Sequence, residues 1–191
     1  MYTASSTSAS SAPPSPIWIE SMGGPLIVVP VSALEEWCGS TGVGLVVGAG
    51  DVPDDYDRAC EVDGLAGVIA IGEKGRQGLV LADEPATTCY LPEHRAFVRW
   101  LGADSAAALI EAAMVVLRDP AADWEECGFW ETDGQAVLMD SVSAGSELHI
   151  AYPDGEMPAH APIPIPATRW KVRAVHTCVN ETSVGVVHLL P

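Results

Sequence analysis

Ile17-Trp18-Ile19-Glu20-Ser21-Met22-Gly23-Gly24-Pro25-Leu26-Ile27-Val28-Val29 reads as strand, turn and strand. The β-branched and aromatic residues suit a pleated surface, and Gly-Gly-Pro punctuates the run between them. The spacing returns later in the chain. Trp18-Ile19-Glu20-x-x-Gly23-x-x-Leu26-Ile27 matches Phe129-Trp130-Glu131-x-x-Gly134-x-x-Val137-Leu138 without a gap. A weaker echo links Tyr56-Asp57-Arg58-Ala59 to Trp170-Lys171-Val172-Arg173-Ala174, with one residue inserted. An internal duplication would produce this, but so would any two β meanders with similar aromatic, glycine and valine spacing.

Outward from that stretch the chain divides into four parts. Residues 1–16 are almost wholly Ser, Thr, Ala and Pro, which cannot bury enough surface to offset their ordering entropy, so a mobile tail is expected. Residues 17–103 are expected to form a β-rich lobe with a short helix at Ala33–Cys38. Ser32 and Glu35 have the spacing of a capping box there, and Leu34 and Trp37 would turn inward. Strands are expected at Val43–Val47, Tyr56–Val62 and Gly67–Ile71. Leu79–Leu81 would return as the hairpin partner across Gly72-Glu73-Lys74-Gly75, and Ala96–Trp100 would close the lobe. Residues 104–120 hold an Ala-rich helix of nearly continuous apolar character, capped by Asp104, which would pack between two β layers. Residues 121–191 read as a second β-rich lobe. It has a turn at Asp133-Gly134, an extended Ile163-Pro164-Ile165-Pro166, and a last hairpin of Trp170–Cys178 with Val184–Leu190. The expected fold is α+β, mainly β: two β-rich lobes with the helix between them.

Composition narrows the function. The 191 residues carry 26 acidic and 9 basic side chains, a net charge of −17. Phosphates would repel such a surface, which argues against nucleic acid and anionic membranes as partners and suits a basic one. The longest nearly apolar run, Ala106–Leu117, falls short of the ~20 residues of a membrane span. The N-terminus has no basic residue and no hydrophobic stretch, so no export signal is read there and a cytosolic protein is expected. Five cysteines without a CxxC suit that compartment better than a disulfide framework or a zinc site.

No motif calls for a cofactor. Gly42–Gly50 is glycine-rich but lacks the phosphate-loop pattern and runs into Asp51-Val52-Pro53-Asp54-Asp55. Asp55/Asp57 and Asp83/Glu84 are carboxylate pairs of the kind that hold a divalent metal, the basis of a metal-dependent enzyme as one alternative. A solvated acidic loop is the competing reading. His176 and His188 would face each other across the last hairpin. A β-sandwich ligand-binding module with exposed aromatics is another alternative, although Trp18, Trp37, Trp100 and Trp130 read as core anchors. The charges are also segregated. From Met1 to Asp57 there are seven acids, and from Asp119 to Thr168 ten, with no Lys or Arg in either span.

With these residues in view, the chain resembles the immunity protein 21 family of bacterial polymorphic toxin systems. The resemblance rests on Trp18-Ile19-Glu20-Ser21-x-Gly23-Gly24-Pro25-Leu26, Asp55-Tyr56-Asp57-Arg58-Ala59-Cys60 and Leu79-Val80-Leu81-x-Asp83-Glu84-Pro85. Val98-Arg99-Trp100 and Ile165-Pro166-x-x-x-Trp170-x-Val172-x-Ala174 extend it across nearly the whole folded region. The serine-rich tail is extra, and Cys89-Tyr90 stands where a tryptophan is more typical. The resemblance implies a cytosolic antidote, not an enzyme, which binds a cognate toxin. Many such toxins are nucleases with basic clefts, and an acidic inhibitor would put carboxylates where phosphates lie. The contact face would be sought in Asp51, Asp54, Asp55 and Asp57, and in Glu125, Glu126, Glu131 and Asp133.

Overall fold

The computed structural model describes residues 15–41 and 53–191. The tail to residue 14, the Val43–Val47 strand, the glycine-rich run and Asp51 lie outside the described residues. The opening stretch folds as β1 (Trp18–Ile19) and β2 (Leu26–Pro30). Between them the Ser21 hydroxyl donates to the Gly24 carbonyl at 2.6 Å. A 3-10 turn over Val31–Glu36 follows, with no side-chain cap. The expected Ser32–Glu35 box does not form, because the turn is entered directly from Pro30 and is too tight for α geometry. Trp37 is nonetheless fully buried and Leu34 half-buried.

The expected strand at Tyr56–Val62 is instead a helix, α1 (Asp55–Cys60). The Asp54 carboxylate accepts from the Asp57 N–H at 2.8 Å, and the Asp57 carboxylate accepts from the Asp54 N–H at 3.2 Å. This reciprocal cap satisfies the orphan donors of the first turn and places negative charge at the positive end of the helix. After it come the hairpin β3 (Gly67–Ile71) with β4 (Arg76–Leu81) and the hairpin β5 (Thr88–Leu91) with β6 (Ala96–Gly102). The long helix is α2 (Ala106–Arg118). Ser105, not Asp104, caps it, its hydroxyl accepting from the Ala108 N–H at 3.2 Å. The strands β7 (Glu125–Thr132), β8 (Ala136–Asp140), β9 (His160–Ile163), β10 (Thr168–Val179) and β11 (Thr182–Leu190) complete the chain. Asn180 and Glu181, both at positive φ, make the two-residue turn of the last hairpin.

Two antiparallel sheets result, ordered β1-β5-β6-β11-β10-β7 and β3-β4-β2-β8-β9. Strand alternation sorts the apolar residues into three cores. Leu26 and Val28, Phe97, Trp130, Leu138, Trp170 and Val172 fill the space between the sheets. Ile27, Val29, Val80 and Met139 point to the opposite side of the five-stranded sheet, where Trp37, Ala59 and Leu148 cover them. Val98, Val175, Val184 and Val186 point to the outer side of the six-stranded sheet, where α2 covers them. The helix therefore does not lie between two β layers as expected. Leu109, Ala112, Ala113 and Val116 are buried while Val115 is half-exposed, because exposed alanines cost little and only one stripe needs a partner.

Both sheets take strands from both sides of α2, so residues 17–103 and 121–191 share them. The strand orders are nearly palindromic: β1-β5-β6 meets β11-β10-β7, and β2 lies beside β8. The Trp18/Phe129 repeat maps Leu26 onto Val137 and Ile27 onto Leu138. Under it the pairs Leu26–Asp140 and Ile27–Met139 become Val29–Val137 and Val28–Leu138, all present in the β2–β8 ladder. Any regular antiparallel ladder maps onto itself in this way, so the register is compatible with duplication without being evidence for it. The Tyr56/Trp170 echo has no such counterpart, since it pairs a helix with a strand.

Candidate partner-binding surface

The acids at α1 shape the backbone first. Beyond the cap, Asp54 accepts from the Thr41 N–H at 2.8 Å. Asp55 accepts from the Cys38 N–H at 2.7 Å and pairs with Arg58. They fix Cys38–Thr41 against the start of the helix. Nearby, a Cβ on Gly24 would lie 2.6 Å from the Tyr56 ring, so a larger residue there would have to displace that ring. Burial and the Cys60 thiol push the Tyr56 hydroxyl up to about 12.

The acids on β7 are mostly paired. Glu131 faces Arg169 across the strands at 3.6 Å, and Glu126 lies 2.9 Å from Lys171. The Arg169 guanidinium also sits 4.1 Å from the centre of the Phe129 ring. Glu125 accepts from the Leu65 N–H at 3.1 Å, tying β7 to the loop after α1. Asp133 is exposed in the following turn. The structure thus makes the β7 edge a mixed-charge strip, tied through Glu125 to the loop that follows α1.

A groove opens beside Cys38 and Thr41. It holds about 580 Å³ beside the cover of the five-stranded sheet, lined by Met22, Cys38, Thr41, Val142, Ile150 and Tyr152 among others. Its walls are fastened from below. The Asp140 carboxylate accepts from the N–H groups of Met22 (2.6 Å) and Val142 (2.9 Å), and burial nevertheless pushes its pKa up. The Ser141 hydroxyl donates to the Pro25 carbonyl at 2.7 Å, and the Trp37 indole to the Ser141 carbonyl at 3.2 Å. The Tyr152 hydroxyl lies 3.2 Å from the Ser143 hydroxyl and 3.8 Å from the Met22 sulfur. Met22 is 68% exposed and Ile150 53%. Sequence reasoning missed this groove, whose parts are more than a hundred residues apart. The only local signal was the polar, proline- and glycine-containing stretch from Ser141 to His160.

A second polar centre was also missed. Arg99 is fully buried, and its guanidinium donates to the carbonyls of Ala82, Glu84, Leu81 (3.3 Å) and Leu65 (3.5 Å). Burial lowers its pKa to about 10 despite Asp83 and Glu84. Asp83 meets His176 at 3.1 Å, and burial and Arg99 push that imidazole down. Gly185 permits the approach, because a Cβ there would lie 2.9 Å from the His176 ring. The centre locks the β4–β5 connection to the six-stranded sheet. No three His, Cys, Asp or Glu side chains among the described residues are arranged to hold a metal ion.

His176 and His188 do not face each other, since the register pairs them with Gly185 and Arg173. His188 lies 3.1 Å from Arg173 and 5.8 Å from the Trp124 ring. Burial, then Arg173 and Arg95, push it down to about 4. Trp37 and Trp130 are fully buried, while Trp18 and Trp100 pack edge to face, 5.4 Å apart, at the margin of the helix-side core. No helix among the described residues is long and apolar enough to cross a membrane.

The family model described as Immunity protein 21 matches residues 17–183, from β1 into β11. No curated protein and no solved structure matches the chain.

Proposed function

The chain belongs to the immunity protein 21 family, and from that premise we propose that it is an antidote of the bacterial cytoplasm. It binds a cognate toxin and blocks it, transforming nothing itself. The observation that carries this reading is the segregation of charge. The segments before Arg58 and between Asp119 and Thr168 hold seventeen acids and no Lys or Arg. Their described parts build β1, β2, the cover of the five-stranded sheet, and β7 to β9. On β7, Glu126 and Glu131 meet Lys171 and Arg169, so the acidic field lies over the cover of the five-stranded sheet, where it steers a cationic partner and raises its association rate by ~10–10³. A nuclease, whose cleft must attract phosphates, is such a partner. Asp54 and Asp57 contribute to the field while capping α1, Asp55 is paired with Arg58, and Glu147 and Glu156 contribute from exposed positions.

Stopped-flow association with the purified toxin domain encoded by the neighbouring gene tests this. The wild-type rate is expected to fall steeply with salt. The Glu147→Lys/Glu156→Lys double variant should associate about tenfold more slowly and with a shallower salt dependence. Absence of binding at micromolar concentration, or a rate indifferent to salt, would overturn the reading.

A further inference from the structure

We infer that the groove between the β1–β2 turn and the segment from Val142 to Pro158 is the seat for one apolar anchor of the toxin. That anchor would be a large aliphatic or aromatic side chain flanked by lysine or arginine. The inference rests on the antidote reading and adds to it a place and a chemistry.

Three features support it. First, three of the seven exposed large hydrophobics among the described residues stand here: Met22 and Ile150 on the groove wall and Met157 beside it. Two are methionines, whose unbranched, polarisable side chains adapt to a partner's shape. Elsewhere Phe129, also half-exposed, already carries the Arg169 guanidinium on its face.

Second, the walls are held in place before any partner arrives. Asp140 grips Met22 on one side and Val142 on the other, Asp54 and Asp55 hold Thr41 and Cys38, and Trp37 holds Ser141. A preformed apolar concavity loses little entropy on binding and is where interface hot spots settle.

Third, the rim is predominantly acidic, and Arg58, beside the Cys38 wall, is paired with Asp55. Residues 20–41 and 140–158 carry seven acids and no Lys or Arg. Of these acids Glu36 is engaged by Lys74 and Arg76 and Asp140 is buried. Glu147 lines the groove, and Asp154 and Glu156 are exposed on the same segment. An apolar floor within an anionic rim selects an apolar side chain with cationic neighbours. It disfavours nucleic acid and anionic lipid headgroups alike.

The test uses the full chain and the toxin domain encoded by the neighbouring gene. Met22→Lys and Ile150→Lys change exposed side chains, so their melting temperatures should stay near wild type. Each is expected to weaken affinity at least 100-fold, mainly through faster dissociation, while Met22→Leu and Ile150→Leu keep it within about threefold. Val115→Lys, on the exposed side of α2, should bind as wild type. A bimane label on exposed Cys38, in a Cys178→Ser background, should shift its emission when toxin is added. Wild-type affinity in both lysine variants together with an unchanged label would overturn the groove as the seat while leaving the antidote reading intact. Failure of the unmodified protein to bind the toxin would overturn both.

Discussion

The two outer faces of the sandwich are covered in different ways. The six-stranded sheet is closed by one regular helix, α2, which lays Leu109, Ala112, Ala113 and Val116 on valines of β6, β10 and β11. Beside it Arg169 and Lys171 are balanced by Glu131 and Glu126, and the Arg173 guanidinium lies over the Trp124 ring. The five-stranded sheet is closed by two 3-10 turns, the six-residue α1 and a long connection, fastened through carboxylates, hydroxyls and an indole. The frame beneath is nearly symmetric in strand order, with β2 and β8 adjacent in the five-stranded sheet. The turns after those two strands meet there, the Gly145 N–H donating to the Trp37 carbonyl at 2.9 Å. The asymmetry of the covers is therefore what distinguishes the faces. An irregular cover leaves concavity and apolar ends exposed, as binding surfaces need, whereas a regular helix leaves a convex, solvated back.

The strongest way to break this contrast is to remove the anchor of each cover. Trp37→Ala empties a fully buried site and orphans the Ser141 carbonyl. It should cost about 3–5 kcal/mol of stability and abolish toxin binding at temperatures where the sheets remain folded. Leu109→Ala should cost about 2–5 kcal/mol yet leave affinity within twofold once folded protein is counted. Denaturant midpoints paired with calorimetric titration read both effects. Equal losses of affinity in the two variants would mean that the covers do not differ in function.

Acid sharpens the contrast because the faces titrate with opposite sign. His188 is held down to about 4, against an ordinary value near 6.5. Between those values the unfolded chain binds the extra proton. The His188 contribution to stability is therefore complete above about 6.5 and is lost as pH falls toward 4, at no more than about 1.4 kcal/mol per pH unit. His176, also depressed, adds in the same direction. Asp140 runs the other way, since its raised pKa makes the folded state the stronger proton binder as pH falls. Chemical denaturation at pH 7, 6 and 5 should show a smaller decline for His188→Gln than for wild type, and continued below pH 5 a larger one for Asp140→Asn.

The same contrast explains what could be read from the sequence. β2, the β3–β4 hairpin and the β10–β11 hairpin were legible because β-branched apolar runs and turn residues such as Gly72, Gly75 and Asn180 are local signals. Six-residue α1 was not, since it completes fewer than two turns and shows no helical period, while Tyr56 and Cys60 suit a strand. Its cap was in view as Asp54 and Asp57 but is indistinguishable by composition from a surface acid cluster. β5 was passed over because Thr88-Cys89-Tyr90-Leu91 is short and closely follows Pro85. Arg99 interrupted an apolar run, yet its strand is buried on both sides and the carbonyls that hold it lie up to 34 residues away. The groove depends on contacts spanning more than a hundred residues, such as Met22 to Asp140. No local period encodes those.

The smallest expected effect bears on the acids that sequence alone placed in the contact face. Glu131 and Arg169 are both more than half exposed, 3.6 Å apart on neighbouring strands. In water such a pair is worth about 0.2–1 kcal/mol, less at high salt. A double-mutant cycle of Glu131→Gln and Arg169→Gln isolates that coupling, because the loss of the guanidinium from the Phe129 ring is common to both variants that lack Arg169 and cancels. Coupling below 1 kcal/mol, with toxin association changed less than twofold, is expected if β7 is a solvated edge whose charges already answer one another. A larger change in association would shift the contact from the irregular cover to this strip, since Glu131 would then meet a toxin cation in exchange for Arg169.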